Sequence, residues 1–140
     1  MFEDSDLLRG RRILVVDDSA EMTSLLVDFL TGLGATVAFS NGGREAICRL
    51  AWDRFDAVVL DLVMPEPDGW EVLRVIGAVK PELLPGTMVL TGNRYTANAP
   101  GLRRACPVSC LFKPFLLDDL AAMIHDKVLA GARHAGAVQP

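Results

Sequence analysis

The chain has 140 residues, 51% of them hydrophobic and 23% charged, a composition typical of one globular domain and not of a disordered chain. Its formal net charge is −4, whereas a nucleic-acid surface needs clustered Lys and Arg to neutralise phosphates. We therefore expect protein partners and no nucleic-acid contact through this domain. No apolar run reaches the roughly 18 residues that span a bilayer, and we see no secretion signal, so we expect a cytoplasmic protein without membrane contact. The cysteines match no zinc spacing, and we expect all three to be reduced and mostly buried: Cys48, Cys106 and Cys110.

The first strand and helix follow a short lead-in. Residues 1–11 show no hydrophobic period and predict a frayed lead-in, and the apolar run 13–16 predicts a strand that ends at Asp17 and Asp18. We expect Asp18 to cap the following helix, with Glu21 as the third residue of a capping box. The apolar face of this helix consists of Met22, Leu25, Leu26, Phe29, Leu30 and Leu33.

The middle of the chain predicts two more strands and two more helices. Residues 36–39 and 57–61 predict strands, and the second is apolar up to Asp61, which indicates burial on both faces. The helix between these strands is predicted to bury Ala46, Ile47, Leu50 and Ala51. In the next helix, Asp68 is the expected cap and Glu71 the third residue, and the predicted buried face is Val72, Leu73, Ile76 and Val79.

The last third of the chain predicts two further strands. Residues 87–90 predict the fourth strand, which ends at Thr91, and residues 108–112 predict the fifth, which stops at Lys113. The helical segment expected between them, 94–105, contains a Pro-Gly pair, so we expect it to be short, bent or irregular. The final helix has the apolar face Leu117, Leu120, Ala121, Ile124 and Val128.

Alternating strands and helices favour a parallel sheet covered on both faces, in a doubly wound α/β fold. The carboxyl ends of parallel strands meet at one edge of such a sheet, and ligands bind there. The residues at those ends are Asp17, Asp18, Asp61, Thr91 and Lys113. Each alone has an ordinary explanation as a helix cap, a strand end or a solvated charge, but together they suit one reaction.

The charges at this edge indicate phosphoryl transfer. Three carboxylates close together repel by about 1 kcal/mol per pair even in bulk water, so positive charge must balance them. Lys113 supplies one charge, and a hard divalent cation such as Mg²⁺ would supply the rest. A carboxylate beside a metal ion and an ammonium group can accept a phosphoryl group as an acyl phosphate, and the Thr91 hydroxyl could then donate to it.

These residues, in the pattern Asp17-Asp18, Asp61-x-x-Met-Pro-x-x-Asp-Gly, Thr91 and Lys113-Pro-Phe, resemble the receiver domain of two-component response regulators. The resemblance covers roughly residues 12–130 and leaves residues 1–11 as the lead-in and 131–140 as a flexible tail. It implies a flavodoxin-like, five-stranded parallel sheet in the order 2-1-3-4-5, with helices on both faces.

The resemblance also assigns roles at the acidic residues. It implies that Asp61 is the phosphoacceptor in a phosphorelay. It further implies that Asp18, Asp61 and the backbone carbonyl of Val63 hold Mg²⁺ or another divalent cation such as Mn²⁺, while Asp17 acts through water. By the same resemblance the chain is not an enzyme and supports only its own phosphorylation and dephosphorylation.

The remaining implied roles concern the other strand ends and the partners. Lys113 would pair with the phosphoryl oxygens, Thr91 would move toward them, and the Lys113–Pro114 peptide is expected to be cis. The implied donor is a phosphohistidine on a histidine kinase or a histidine phosphotransfer protein. The implied output is contact with a downstream protein target or an effector domain, and the chain is either a single-domain regulator or a receiver from a larger protein.

One departure from the family pattern keeps an alternative open. Cys110 stands three residues before Lys113, where the family has an aromatic ring that turns inward on phosphorylation. We therefore expect a weaker or differently routed response, and a phosphate-independent receiver-like protein-binding module stays open. A flavin-binding protein is disfavoured because Asp17 and Asp18 would repel its phosphate, and an aspartate phosphatase because Val63 replaces the usual second acid.

Overall fold

The computed structural model describes residues 6–93, 99–100 and 108–138, with side chains described as far as residue 129. Its sheet consists of β1 (Arg12–Val16), β2 (Thr36–Ser40), β3 (Ala57–Asp61), β4 (Thr87–Thr91) and β5 (Ser109–Phe112). All neighbouring strands are parallel, and their order is β2-β1-β3-β4-β5. The predicted flavodoxin-like sheet order is confirmed.

Helices cover both faces of this sheet. They are α1 (Ala20–Gly32), α2 (Gly43–Trp52), α3 (Gly69–Val79), a 3-10 helix (Pro81–Gly86) and the C-terminal helix (Leu117–Val138). The irregular helical segment predicted at 94–105 lies outside the described residues, apart from residues 99–100. Among the described helices, none has the length and apolar character needed to cross a membrane.

Two hydrophobic cores form because successive side chains of a strand point to opposite faces. In β1, Leu14 and Val16 belong to the core shared with α2 and α3. Ile13 and Val15 belong to the core shared with α1 and the C-terminal helix. Burial on both faces explains why the central strands are continuous apolar runs.

The start of α1 corrects one prediction. Ser19 is the N-cap, not Asp18, and the Ser19 hydroxyl accepts a hydrogen bond of 3.2 Å from the backbone amide of Met22. The reason is the turn at Asp17: the Ser19 amide donates to the Asp17 carboxylate, so the helix begins one residue later than predicted. In α3 the predicted cap is confirmed, because an Asp68 carboxylate oxygen accepts from the Glu71 amide at 3.0 Å.

Several side chains predicted to be buried are exposed. Leu25 in α1, Ala51 in α2 and Val79 in α3 all face solvent, because each lies at the margin of an apolar stripe wider than the surface the sheet can cover. Cys48 is also exposed on α2, which corrects the prediction of buried cysteines. Cys110 is partly buried, and Cys106 lies outside the described residues.

The lead-in is packed over the part that the structure describes, whereas the sequence predicted a frayed segment. Leu8 is only 1% exposed and belongs to the core beneath α1 and the C-terminal helix. Its backbone amide donates to the Leu33 carbonyl at 2.8 Å. A single buried leucine creates no periodic pattern, which explains why the sequence did not show it.

Replacing Leu8 with alanine should therefore lower the free energy of unfolding by about 2 kcal/mol, the low end for a buried leucine. We expect the low end because Leu8 also lines a cavity of about 80 Å³ that is open to solvent. Urea unfolding curves would measure the change. Leu7→Ala is the control, because Leu7 is only partly buried, and equal losses for the two variants would contradict the packing described here.

The C-terminal helix continues further than predicted. Its backbone is helical to Val138, so most of the segment 131–140 is not the loose tail that the sequence suggested. Alanine has the highest helix propensity, and the alanines of this segment favour the continued helix.

Candidate phosphoryl-acceptor site

Three carboxylates meet at the carboxyl edge of the sheet. The register of β1 and β3 pairs Val16 with Leu60, so Asp17 and Asp61, the next residue in each strand's direction, lie side by side. Asp18 completes the group, and one oxygen from each of the three carboxylates lies within 4.8 Å of the others. Asp17 is 1% exposed and Asp61 5%, whereas Asp18 faces solvent. The structure thus brings together the three acidic residues that the sequence singled out.

Backbone amides fix the orientation of the two buried carboxylates. The Ser19 amide donates to one oxygen of Asp17 at 2.8 Å, and the Val63 amide donates to one oxygen of Asp61 at 3.0 Å. Each bond reaches back two residues, the usual geometry of an aspartate that begins a loop. The second oxygen of each carboxylate is therefore directed toward the shared space between the strands.

Lys113 brings a positive charge to those second oxygens. Its ammonium nitrogen lies 3.3 Å from Oδ2 of Asp61 and 4.0 Å from Oδ2 of Asp17. The Lys113 backbone amide donates to the Thr91 carbonyl at 2.8 Å, and this bond joins the first residue after β5 to the last residue of β4. The Lys113–Pro114 peptide is cis, as the resemblance implied, and Glu66–Pro67 is a second cis peptide that the sequence did not predict. We call Asp17, Asp18, Asp61 and Lys113 the acidic pocket.

Thr91 and Val63 lie beside the acidic pocket. Thr91 is buried at the end of β4, the strand next to β3, and its hydroxyl oxygen accepts a hydrogen bond of 3.1 Å from the Asn93 amide. Val63 contacts Asp61 through its amide, and its side chain is exposed. The roles predicted for the Thr91 hydroxyl and the Val63 carbonyl remain predictions.

The chemistry of the acidic pocket fits a cation. Burial raises the pKa of Asp17; the Ser19 amide opposes this effect, and the negative charge of Asp61 adds to it. Oδ2 of Asp17 is buried and has no hydrogen-bond partner among the described residues, although Lys113 lies 4.0 Å away. Three carboxylates face one ammonium group, so a hard cation with oxygen ligands would satisfy both the excess charge and the unpartnered oxygen.

Asp17→Asn should therefore raise the free energy of unfolding by about 1 kcal/mol at pH 7 without divalent cations. The folded-state pKa of Asp17 lies above its ordinary value of 3.8, so protonated Asp17 stabilises the fold below that pH. This contribution is lost as the pH rises through the folded-state pKa, and the amide variant avoids the loss. Urea unfolding in EDTA at pH 7 and near pH 4 would measure it.

The benefit of Asp17→Asn should shrink at the lower pH, because a larger fraction of the wild-type carboxyl group is then protonated. The exposed Asp28 on α1 offers the control, since Asp28→Asn makes the same change of charge outside the acidic pocket. A gain for Asp28→Asn as large as the gain for Asp17→Asn would show a general charge effect and contradict the local explanation.

Sequence reasoning missed two close backbone contacts near the acidic pocket. A Cβ atom built on Gly69 would lie 2.3 Å from the Asp61 carbonyl oxygen and 2.4 Å from the Leu62 Cα atom. A Cβ atom built on Gly43 would lie 2.0 Å from the Pro67 carbonyl oxygen. Glycine is a poor helix former, so its presence in the first turn of both helices was the sequence signal that could have indicated these contacts.

Residues 13–125 match the response regulator receiver domain family, and the chain belongs to that family. The response regulator MprA of Mycolicibacterium vanbaalenii is 39% identical over 111 residues, which cover 79% of this chain and 47% of that protein. The transcriptional regulatory protein TcrA of Mycobacterium tuberculosis is 37% identical over 115 residues, covering 82% and 45%. The chain thus spans about half the length of these curated relatives.

A solved structure agrees in fold. The response regulator protein TrrA of Thermotoga maritima, in complex with Mg²⁺-BeF, has a TM-score of 0.76 and 27% identity, covering 84% of this chain and 98% of that chain. The predicted receiver family and its doubly wound fold are confirmed.

Proposed function

We propose that Asp61 accepts a phosphoryl group from a phosphohistidine on a histidine kinase or a histidine phosphotransfer protein. The observation that carries the proposal is the Lys113 ammonium nitrogen, 3.3 Å from an oxygen of a buried Asp61 beside two further carboxylates. Membership of the receiver family supports it. The phosphorylated domain then acts by contact with a downstream protein target or an effector domain in the cytoplasm.

The transfer requires one bond to form and one to break. A carboxylate oxygen of Asp61 attacks the phosphorus, the phosphorus–nitrogen bond of the donor breaks, and the histidine nitrogen keeps the electron pair and takes up a proton. The Val63 amide holds the Asp61 carboxylate in place, and the Lys113 ammonium offsets the negative charge of the phosphoryl oxygens. The Thr91 hydroxyl then donates to the new acyl phosphate.

We infer that Asp17, Asp18, Asp61 and the Val63 carbonyl hold Mg²⁺, or another divalent cation such as Mn²⁺. The unpartnered Oδ2 of buried Asp17 supports a cation, and the TrrA complex contains Mg²⁺. When bound, the cation adds positive charge where the phosphoryl oxygens arrive. The chain acts on its own side chain and turns over no external substrate.

Intact-mass spectrometry after incubation with a small acyl phosphate tests the proposal. We expect a phosphoryl-sized gain in mass that requires Mg²⁺, maps to the peptide containing Asp61 and is lost in hydroxylamine, which cleaves acyl phosphates. No gain with the acyl phosphate or with a phosphohistidine donor, together with failure to form a beryllofluoride complex, would contradict it. The phosphate-independent binding module would then be the better assignment, in agreement with the half-buried Cys110 in place of an aromatic ring.

A further inference from the structure

We propose that Gly43, in the first turn of α2, is a positioning residue for the acidic pocket, an inference that rests on the proposed function. A Cβ atom built on Gly43 would lie 2.0 Å from the carbonyl oxygen, 2.9 Å from the carbonyl carbon and 3.2 Å from the Cγ atom of Pro67. Two of these atoms belong to the backbone, so no rotation of a side chain relieves the contact. Only glycine lets α2 approach Pro67 this closely.

Pro67 belongs to the β3–α3 loop, residues 62–68, which connects Asp61 to α3. Both ends of this loop are fixed. At one end the Leu62 amide donates to the Leu90 carbonyl at 3.2 Å, and at the other the Asp68 carboxylate accepts from the Glu71 amide at 3.0 Å. A displacement of Pro67 must therefore be absorbed in residues 63–66, which include Val63.

Val63 connects the loop to the acidic pocket, because its amide holds one oxygen of Asp61 at 3.0 Å. The proposed function also assigns its carbonyl to the cation. A shift of residues 63–66 therefore changes the orientation of the acceptor carboxylate and the position of a proposed cation ligand.

The helix side of the contact cannot easily yield. Gly43, Ala46 and Leu50 are all buried on the inner face of α2, and the latter two belong to the core shared with α3. Gly42 is the N-cap residue and has no side chain that could hydrogen-bond to the first turn. A methyl group at position 43 must therefore push the loop.

The test compares Gly43→Ala with Gly42→Ala in the full chain. Gly42 is the matched control, because a Cβ atom built there meets nothing within 4 Å and its φ of −169° suits any residue. We expect Gly43→Ala to weaken Mg²⁺ binding, measured by calorimetry, roughly tenfold, and Gly42→Ala to stay near wild type. We also expect the Val63 amide to exchange faster in cation-free Gly43→Ala, and urea unfolding would separate these effects from a general loss of stability.

A folded Gly43→Ala that matches Gly42→Ala in both Mg²⁺ affinity and Val63 amide exchange would overturn the positioning role. The exchange comparison needs no cation, so it still decides the role of Gly43 if the wild type binds no Mg²⁺ and the proposed function fails. If Gly43→Ala does not fold, amide exchange of the wild type with and without Mg²⁺ decides instead. Because coupling is reciprocal, Mg²⁺ should then raise protection of the Ala46 amide, which donates to the Gly42 carbonyl, as well as of the Leu62 and Val63 amides. No change at Ala46 would overturn the proposal.

Discussion

Replacing Lys113 with methionine is expected to slow phosphorylation of Asp61 by roughly 100-fold to 1000-fold, the loss typical when one donor that stabilises developing charge is removed. The Lys113 ammonium nitrogen lies 3.3 Å from Oδ2 of Asp61, and the described acidic pocket contains no other cationic side chain. Methionine keeps an unbranched side chain of nearly the same length and removes the ammonium group with its charge. The rate of phosphoryl incorporation, followed by intact mass at saturating Mg²⁺ and acyl phosphate, measures the effect, and Asp61→Asn defines complete loss.

The rate must be separated from cation binding and from folding. Lys113 and a divalent cation repel each other, so Lys113→Met should bind Mg²⁺ at least as tightly as the wild type does, and slower transfer then reflects the lost charge itself. Lys127→Met on the C-terminal helix makes the same change of charge outside the acidic pocket and should phosphorylate at the wild-type rate. If both methionine variants incorporate the phosphoryl group at rates within about threefold of the wild-type rate, the role proposed for Lys113 is contradicted.

The sequence predicted the strand ends well because parallel strands leave little freedom there. Continuous apolar runs mark the buried strands, and the polar residue after each run must lie at the common edge. Asp17 and Asp61 were placed correctly on this argument alone, and the register of β1 and β3 brings them side by side. The order of the strands, by contrast, came from the family resemblance, since periodicity does not determine which strands are neighbours.

The start of α1 shows where local sequence rules fail. Asp17, Asp18 and Ser19 are consecutive residues that could each cap a helix, and the choice depends on which of them is already engaged elsewhere. The structure uses Asp17 for the acidic pocket and its bond to the Ser19 amide, so the helix begins after Ser19. The geometry of the acidic pocket thus overrode the strongest local capping pattern.

The contacts of Leu8, Gly43 and Gly69 were beyond sequence reasoning for a different reason. Leu8 packs between α1 and the C-terminal helix, which are far apart in the chain. Gly43 and Gly69 lie against backbone atoms whose positions depend on how α2 and α3 pack on the sheet. Such contacts depend on three-dimensional packing and leave no period or spacing in the sequence.

Gly69→Ala should have the largest effect on stability, a loss of at least about 3 kcal/mol in the free energy of unfolding, the upper end for an overpacked site. A Cβ atom at this position would lie 2.3 Å from the Asp61 carbonyl oxygen and 2.4 Å from the Leu62 Cα atom, so the backbone of β3 or the start of α3 must move. The Gly69 amide also donates to the Leu62 carbonyl at 3.2 Å, and that bond would lengthen. Urea unfolding curves of the variant and the wild type measure the loss.

Gly77 in the same helix separates crowding from helix propensity. It is exposed, and a Cβ atom built on it meets nothing within 4 Å, so Gly77→Ala should raise the free energy of unfolding by about 0.5–1 kcal/mol. The same substitution is thus expected to act in opposite directions at two positions of α3. A Gly69→Ala as stable as the wild type would show that the end of β3 and the start of α3 are less closely packed than described. A destabilised Gly77→Ala would show that the space around Gly77 is more crowded than described. If Gly69→Ala folds, it should also accept phosphoryl groups more slowly, since the displaced backbone carries the Asp61 carboxylate.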